Sequence, residues 1–189
     1  MYQNGFGRYN QSGAVINRNL KDIFRKLWEQ HIMWTRAYII STAADLGDLQ
    51  SVTRRLLQNP GDFANEFRKY YGDNKARDFA NLLSEHLLIA ARLVNDAKMQ
   101  NTQAVEAGEK KWYENADAIA EFLAGINPYW SRQEWRNMLY EHLRLTKNEA
   151  VYRLSGQFDA DIILYDSIED SALKMADYMA QGIEGQFRL

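Results

Sequence analysis

The sequence predicts an all-α fold, an up-down antiparallel bundle of four to five long helices. Three observations carry that expectation. From Leu20 onward apolar residues recur with a period of about 3.6. β-branched residues do not alternate with polar ones, so strands find no support. Glycine, asparagine and the two prolines gather at a few breaks between long periodic stretches, and short breaks favour antiparallel neighbours.

Residues 1–18 (MYQNGFGRYNQSGAVINR) are rich in Asn, Gln, Gly and Ser, with three aromatics among them. Such a segment buries too little to offset its ordering entropy, so it reads as a flexible polar–aromatic tail. Residues 19–189 then form a single helical domain. The first helix spans about 19–45 and stops near Gly47. Asp48 is placed to cap a shorter helix that Asn59 and Pro60 end near Gln58. A short helix over 62–71 closes at Gly72, and Asp73 opens one that runs to about 100. Asn101 or Thr102 begins the next, which ends at Gly125. Ser131, with Glu134 three residues later, has the capping-box spacing and opens a helix to about Leu154. After Ser155-Gly156 a last helix runs to about Gln186.

Composition removes whole classes of function. With no cysteine in 189 residues, a disulfide framework, a thiolate metal site and a cysteine nucleophile are excluded. A formal net charge of −2 argues against nucleic-acid binding by bulk charge. No apolar run is long enough to span a bilayer and no signal segment opens the chain, so the expectation is a cytoplasmic protein that engages no membrane. Phosphate-loop, dinucleotide and nucleophile-elbow motifs are missing.

The three histidines carry the strongest signal. His31, His86 and His142 each fall near the middle of a long helix, in one register. An aromatic stands seven residues before each (Phe24, Phe79, Trp135), and apolar residues stand four and three before. At about 100° per residue, all three rings point to the apolar side of their helices. Antiparallel helices crossing at mid-height would gather the rings into one layer. Facing helices of a bundle build metal sites in such a place. On the last helix the stripe Phe158, Ile162, Tyr165, Glu169, Ala172, Ala176, Met179, Ile183 and Phe187 places Glu169 on the buried face, with Asp166 at its border. A bare buried carboxylate is costly, so Glu169 or Asp166 is expected to complete a ligand shell, or Glu169 to pair with Arg36 or Arg153. Three imidazoles and a carboxylate suit iron, manganese or zinc, with copper also compatible.

Thr35 and Thr146 follow His31 and His142 by one turn, and their hydroxyls are expected to bond the imidazoles or their own helices. Arg36 and Glu149 are expected nearby, with Glu149 serving a second ion, a proton relay or a buried arginine. Residues 1–36 carry six Lys and Arg against two Asp and Glu, while residues 157–189 carry two against seven; this reads first as solvated faces matched to helix dipoles, with attraction of the ends within the bundle or between subunits as the alternative.

The strings LWEQHIMWTRAYIISTAADLGDL, LLSEHLLIAARLVNDAK, KKWYENADAIAEFLAGINPYWS and LYEHLRLTKNEA resemble a family of small helical proteins of spore-forming Firmicutes. The resemblance covers about residues 19–187. Some members carry the label acetylglutamate kinase, which a chain without a βαβ pattern or a glycine-rich phosphate site does not support. The layout is also similar to haemerythrin- and ferritin-like bundles, but their His-x-x-x-Glu and Glu-x-x-His pairs are missing, which favours one ion over two. Two functions follow as expectations. One is a buried mononuclear metal site of three histidines and a carboxylate, structural or serving oxygen, peroxide or hydrolytic chemistry. The other is a non-catalytic, sporulation-associated protein that forms homo-oligomers, with the histidines as a hydrogen-bond layer. A pocket for a small apolar ligand is a third reading.

Overall fold

A computed structural model describes residues 20–188. The expected tail at 1–18 lies outside the described residues. The fold is all-α, with no strand among the described residues. It comprises α1 (Leu20–Ala43), α2 (Leu49–Leu56), α3 (Asn59–Lys98), α4 (Thr102–Ile126), α5 (Arg132–Leu154) and α6 (Phe158–Phe187).

The caps are partly as expected. Asn101 Oδ1 accepts from the Ala104 N–H at 3.2 Å, and Ser131 Oγ accepts from the Glu134 N–H at 3.3 Å. Asp48 makes no side-chain cap; its carboxylate accepts instead from the Ser41 hydroxyl at 2.8 Å. Asn59 and Pro60 start a helix rather than ending one. Pro60 sits in the first turn of α3, where its missing N–H leaves no hydrogen bond unmade.

α3 is two helices in one. Gly72 has φ 75° and ψ 174°, outside helical space and natural only to glycine. Residues 59–71 and 73–98 form two arms, and the chain folds back between them. The rings of Phe63 and Phe79 are 5.9 Å apart, whereas a straight helix would hold positions so spaced about 24 Å apart. The stack of Phe67 on Phe79 at 4.4 Å closes the elbow.

The molecule is thereby three helical hairpins: α1 with the first arm of α3, the second arm of α3 with α4, and α5 with α6. Cross-contacts give the directions. Phe24 meets Phe67 while His31 meets Asn59, so these arms are antiparallel. Tyr38 bonds the Ala91 carbonyl and Lys98 the Thr42 carbonyl, so α1 and the second arm of α3 run parallel. Glu109 meets Lys147 and Glu121 meets Arg132, so α5 opposes α4. The three histidine-bearing helices therefore run parallel to one another, each alternating with an antiparallel partner. This corrects the picture of antiparallel helices crossing at the histidines. It also explains why one register recurs three times: parallel helices need the same residue order to fill the same layers.

α6 closes the bundle against α1 and α5. Asp177 receives Lys21 and a bidentate Arg25, so the opposite charges of the two chain ends do meet within the bundle. Its buried face runs through Asp161, Ile168, Ala172, Met175, Ala176, Met179 and Ile183. Over its first half the expected stripe is one position out of register. Phe158 and Ile162 are exposed, and Asp161 holds the core position because two arginines reach it.

Candidate metal centre

His31, His86 and His142 converge. Each is only 1–2% exposed, and one ring nitrogen of each lies within 4.8 Å of the others. Ring centroids are 5.5 Å apart for His31 and His142, and 6.1 Å for each of the other two pairs. The rings border a cavity of about 10 Å³, walled by Trp28, Phe79, Leu83, Ile119, Leu123, Trp135 and Leu139. That is room for a single ion or water.

Two asparagines fix the imidazoles, and sequence reasoning missed both. His31 Nδ1 lies 3.0 Å from Asn59 Oδ1, and Asn59 Nδ2 donates to the Leu27 carbonyl at 3.0 Å. His86 Nδ1 lies 3.0 Å from Asn115 Oδ1, and Asn115 Nδ2 donates to the Leu82 carbonyl at 3.1 Å. The arrangement is the same twice: the second arm of a hairpin sends an asparagine to the histidine and to the carbonyl four residues before it. Each amide group must donate to its carbonyl, so its oxygen accepts from the histidine. Nδ1 therefore carries the proton in both rings, and Nε2 is the bare nitrogen each can offer. The third hairpin lacks this tether. On α6 the comparable positions hold Asp170, Ser171 and Ala172, and His142 Nδ1 is buried with no hydrogen-bond partner.

Burial keeps all three rings neutral. It lowers His31 to about 4, against a smaller upward pull from Asn59. Burial, with the neighbouring His31 charge, lowers His86 to about 3. Burial and both other histidines hold His142 well below its ordinary value. Neutral imidazoles are the ligand form that metals require.

The other expected site residues are elsewhere. Glu169 and Asp166 are exposed on α6 and do not join the cluster, and among the described residues no carboxylate stands with the three imidazoles. Thr35 bonds the His31 carbonyl at 2.8 Å, the back-bond to its own helix. Thr146 Oγ1 is buried and bonds neither an imidazole nor its helix. Arg36 and Glu149 form a separate buried ionic cluster. Arg36 meets Glu149 at 2.5 Å and Asp161 at 2.7 Å, and Arg153 meets Asp161 at 3.2 Å. Glu149 and Asp161 are 2% and 1% exposed, and the two arginines balance their charge. Burial pushes Glu149 up to about 7, against the pull of Arg36. The expected partnership of Glu169 with an arginine thus belongs to Asp161, two turns earlier on α6.

The signal for the asparagines lay in their helix faces. Asn115 follows Trp112 by three residues and precedes Ile119 by four, on the core stripe of α4. Asn59 precedes Phe63 by four on the core stripe of α3. Asn115 was thereby legible as a buried polar residue in need of a partner, whereas Asn59 shows this only once α3 is known to begin there.

Three neutral imidazoles border a one-atom cavity, two of them held from behind by asparagines, and could offer an ion nitrogen donors alone. An ion about 2.0–2.1 Å from each nitrogen would place the ring centres about 5 Å apart, so the rings need close by only about 1 Å. Comparison with known proteins returns no matching family model, no matching curated protein and no matching solved structure. Among the described residues no helix is long and apolar enough to cross a membrane.

Proposed function

We propose that the protein binds one transition-metal ion through His31, His86 and His142, leaving a coordination position for a small molecule. The carrying observation is the pair of asparagine-held tautomers, which leave Nε2 of His31 and His86 without a proton beside a small cavity with apolar walls. An unpartnered buried acceptor costs about 1–3 kcal/mol, and a cation would satisfy all three rings at once. Without a carboxylate in reach, manganese loses its preferred donor. Zinc, ferrous iron and copper remain, because each accepts imidazole. Three protein ligands with one position left over is the arrangement of catalytic zinc sites rather than closed structural ones. Hydrolysis, or oxygen or peroxide handling, are the reaction classes it would serve.

The test is elemental analysis of untagged protein purified without chelator, beside His86→Ala and Glu169→Gln. The expected result is one equivalent of metal in the wild type and in Glu169→Gln, lost in a His86→Ala protein whose circular dichroism still shows a folded bundle. Folded wild-type protein that arrives metal-free and refuses added zinc, iron and copper would refute the reading.

A second reading, a non-catalytic protein that assembles with its own copies, is favoured by one observation. Phe158, Ile162 and Ile163 are exposed together at the start of α6. Sedimentation velocity of wild type against Ile162→Lys tests it: a concentration-dependent dimer abolished by the charge supports assembly, and a monomer at all concentrations rejects it.

A further inference from the structure

One turn beyond the histidine layer lies a second cavity. The residues four positions after each histidine are Thr35, Ala90 and Thr146, and all three line it. Because the three helices run parallel, the same register that gathers the rings gathers these small side chains in the layer below. They leave a void of about 80 Å³, bordered further in by Trp112 and Ala150 and at its outer end by Val105, Glu109, Lys147 and Val151. Its walls are almost wholly apolar, and Glu109 of α4 and Lys147 of α5, which line it, pair at 2.6 Å.

Two of the residues that line the void carry a buried polar atom with no hydrogen-bond partner among the described residues. Thr146 is 5% exposed and its hydroxyl bonds nothing, although Thr35, in the equivalent place on α1, bonds its own helix. The Trp112 indole N–H is likewise buried and unpaired. A buried donor left without an acceptor needs an explanation, and an unrecorded ligand is one. Both residues line the void, and one oxygen with two lone pairs could serve both groups if it reached them.

We propose that this pocket binds a short aliphatic molecule bearing one neutral carbonyl oxygen, with the oxygen accepting from Trp112 and Thr146 and the chain pointing to the mouth. A void of this size is about half the ~150 Å³ that holds benzene, enough for roughly three or four carbons, and a longer chain extends toward solvent. A charged head at the inner end is excluded by the apolar walls. The inference does not depend on the metal. The pocket has its own walls and its own unpaired groups, so a failure here leaves the histidine site untouched, and the reverse also holds. The two sites do adjoin, since the ring of Trp112 lies 5.4 Å from that of His86.

The experiment is a titration of the full-length protein, with and without added zinc, with butan-2-one, pentan-2-one and hexan-2-one. The readout is the indole ¹H–¹⁵N resonance of Trp112, assigned with Trp112→Phe. The expected result is a saturable shift in both states, tightening about fourfold per added methylene until the chain reaches the mouth. Thr146→Val keeps the shape and removes the hydroxyl. It should weaken the ketones about fivefold, the loss of one hydrogen bond, while leaving xenon binding, read at the Ala90 and Ala150 methyl groups, unchanged. Ala90→Leu should abolish both; if that variant does not fold, Thr146→Val alone decides. A Trp112 resonance that does not move or moves without saturating would overturn the proposal. So would equal ketone affinity in Thr146→Val, or pentanoate binding as tightly as pentan-2-one.

Discussion

Acidifying the metal-free protein from pH 7 to pH 5 should cost it about 3–4 kcal/mol of stability, and the histidine layer sets the sign. In the unfolded chain each histidine takes up a proton near 6.5; in the folded one His31 waits until about 4 and His86 until about 3, with His142 also well below its ordinary value. Protons in this window bind the unfolded state and not the native one, so stability falls as pH falls. At pH 5 the unfolded form of each ring is almost fully protonated and the native form almost not at all. The loss is then about 2 kcal/mol per ring relative to pH 7, roughly 5–6 kcal/mol for three, and depends little on how far below 5 each native value lies. Glu149 opposes it. Its native value is raised to about 7 from 4.5, so the folded protein gains a proton that the unfolded one does not, returning about 2 kcal/mol over the same window. Asp177 and Glu141 are lowered by their cationic partners, so they give up their contribution below this range. The assay is urea denaturation at pH 7 and 5 with chelator present, on wild type and on His86→Gln. Wild type should lose about 3–4 kcal/mol and His86→Gln about 2 kcal/mol less. A wild-type stability flat or rising toward pH 5, or a variant with the full wild-type slope, would refute the reasoning.

Four further predictions concern the groups behind the site and the frame. Asn115→Leu removes the acceptor behind His86 and should weaken zinc binding about 10- to 100-fold, read by competition with a chromogenic chelator. Asp161→Ala leaves the half-buried Arg36 and Arg153 with one carboxylate between them and should cost about 3 kcal/mol in chemical denaturation. The exposed Glu169→Gln should stay within about 0.5 kcal/mol of wild type in the same assay. Gly182→Ala would place a methyl carbon 1.9 Å from Trp130 Nε1, whose N–H bonds the Tyr178 carbonyl. The indole must move, so a loss of about 1–3 kcal/mol and a changed tryptophan emission are expected.

Helix class and the histidine register were legible because both are periodic, and a period survives without knowledge of neighbours. The rings of His31, His86 and His142 come together as their wheels predict. What was not legible depends on which helix faces which. Glu169 and Asp161 both sit on lines of three- and four-residue steps along α6. Only the positions of Arg36 and Arg153 decide that Asp161 turns inward. Asn59 misled for a local reason. Next to Pro60 it reads as a helix stop, while the structure uses the pair to begin a helix whose first turn delivers the asparagine to His31. The reversal at Gly72 was visible as a break, but its consequence, three parallel histidine helices, needed the contacts between Phe63, Phe67 and Phe79.

The choice between an ion and a water at the histidine layer comes down to proton counting. A single water fits the cavity, can donate to Nε2 of His31 and His86, and can accept from an N–H of His142. That arrangement uses His142 as a donor toward the centre and leaves its Nδ1 as a bare acceptor. An ion uses all three rings as acceptors and makes the unpartnered His142 Nδ1 a protonated donor instead. The two cases therefore demand opposite tautomers of one residue, whereas His31 and His86 keep theirs in both. Long-range ¹H–¹⁵N couplings of the His142 ring, recorded with zinc and with chelator, separate them. A proton that moves to Nδ1 when zinc is added, with no change in the tautomers of the other two rings, is the signature of the ion. A His142 ring that keeps its proton on Nε2 in both samples is the signature of water, and no metal, among the three histidines.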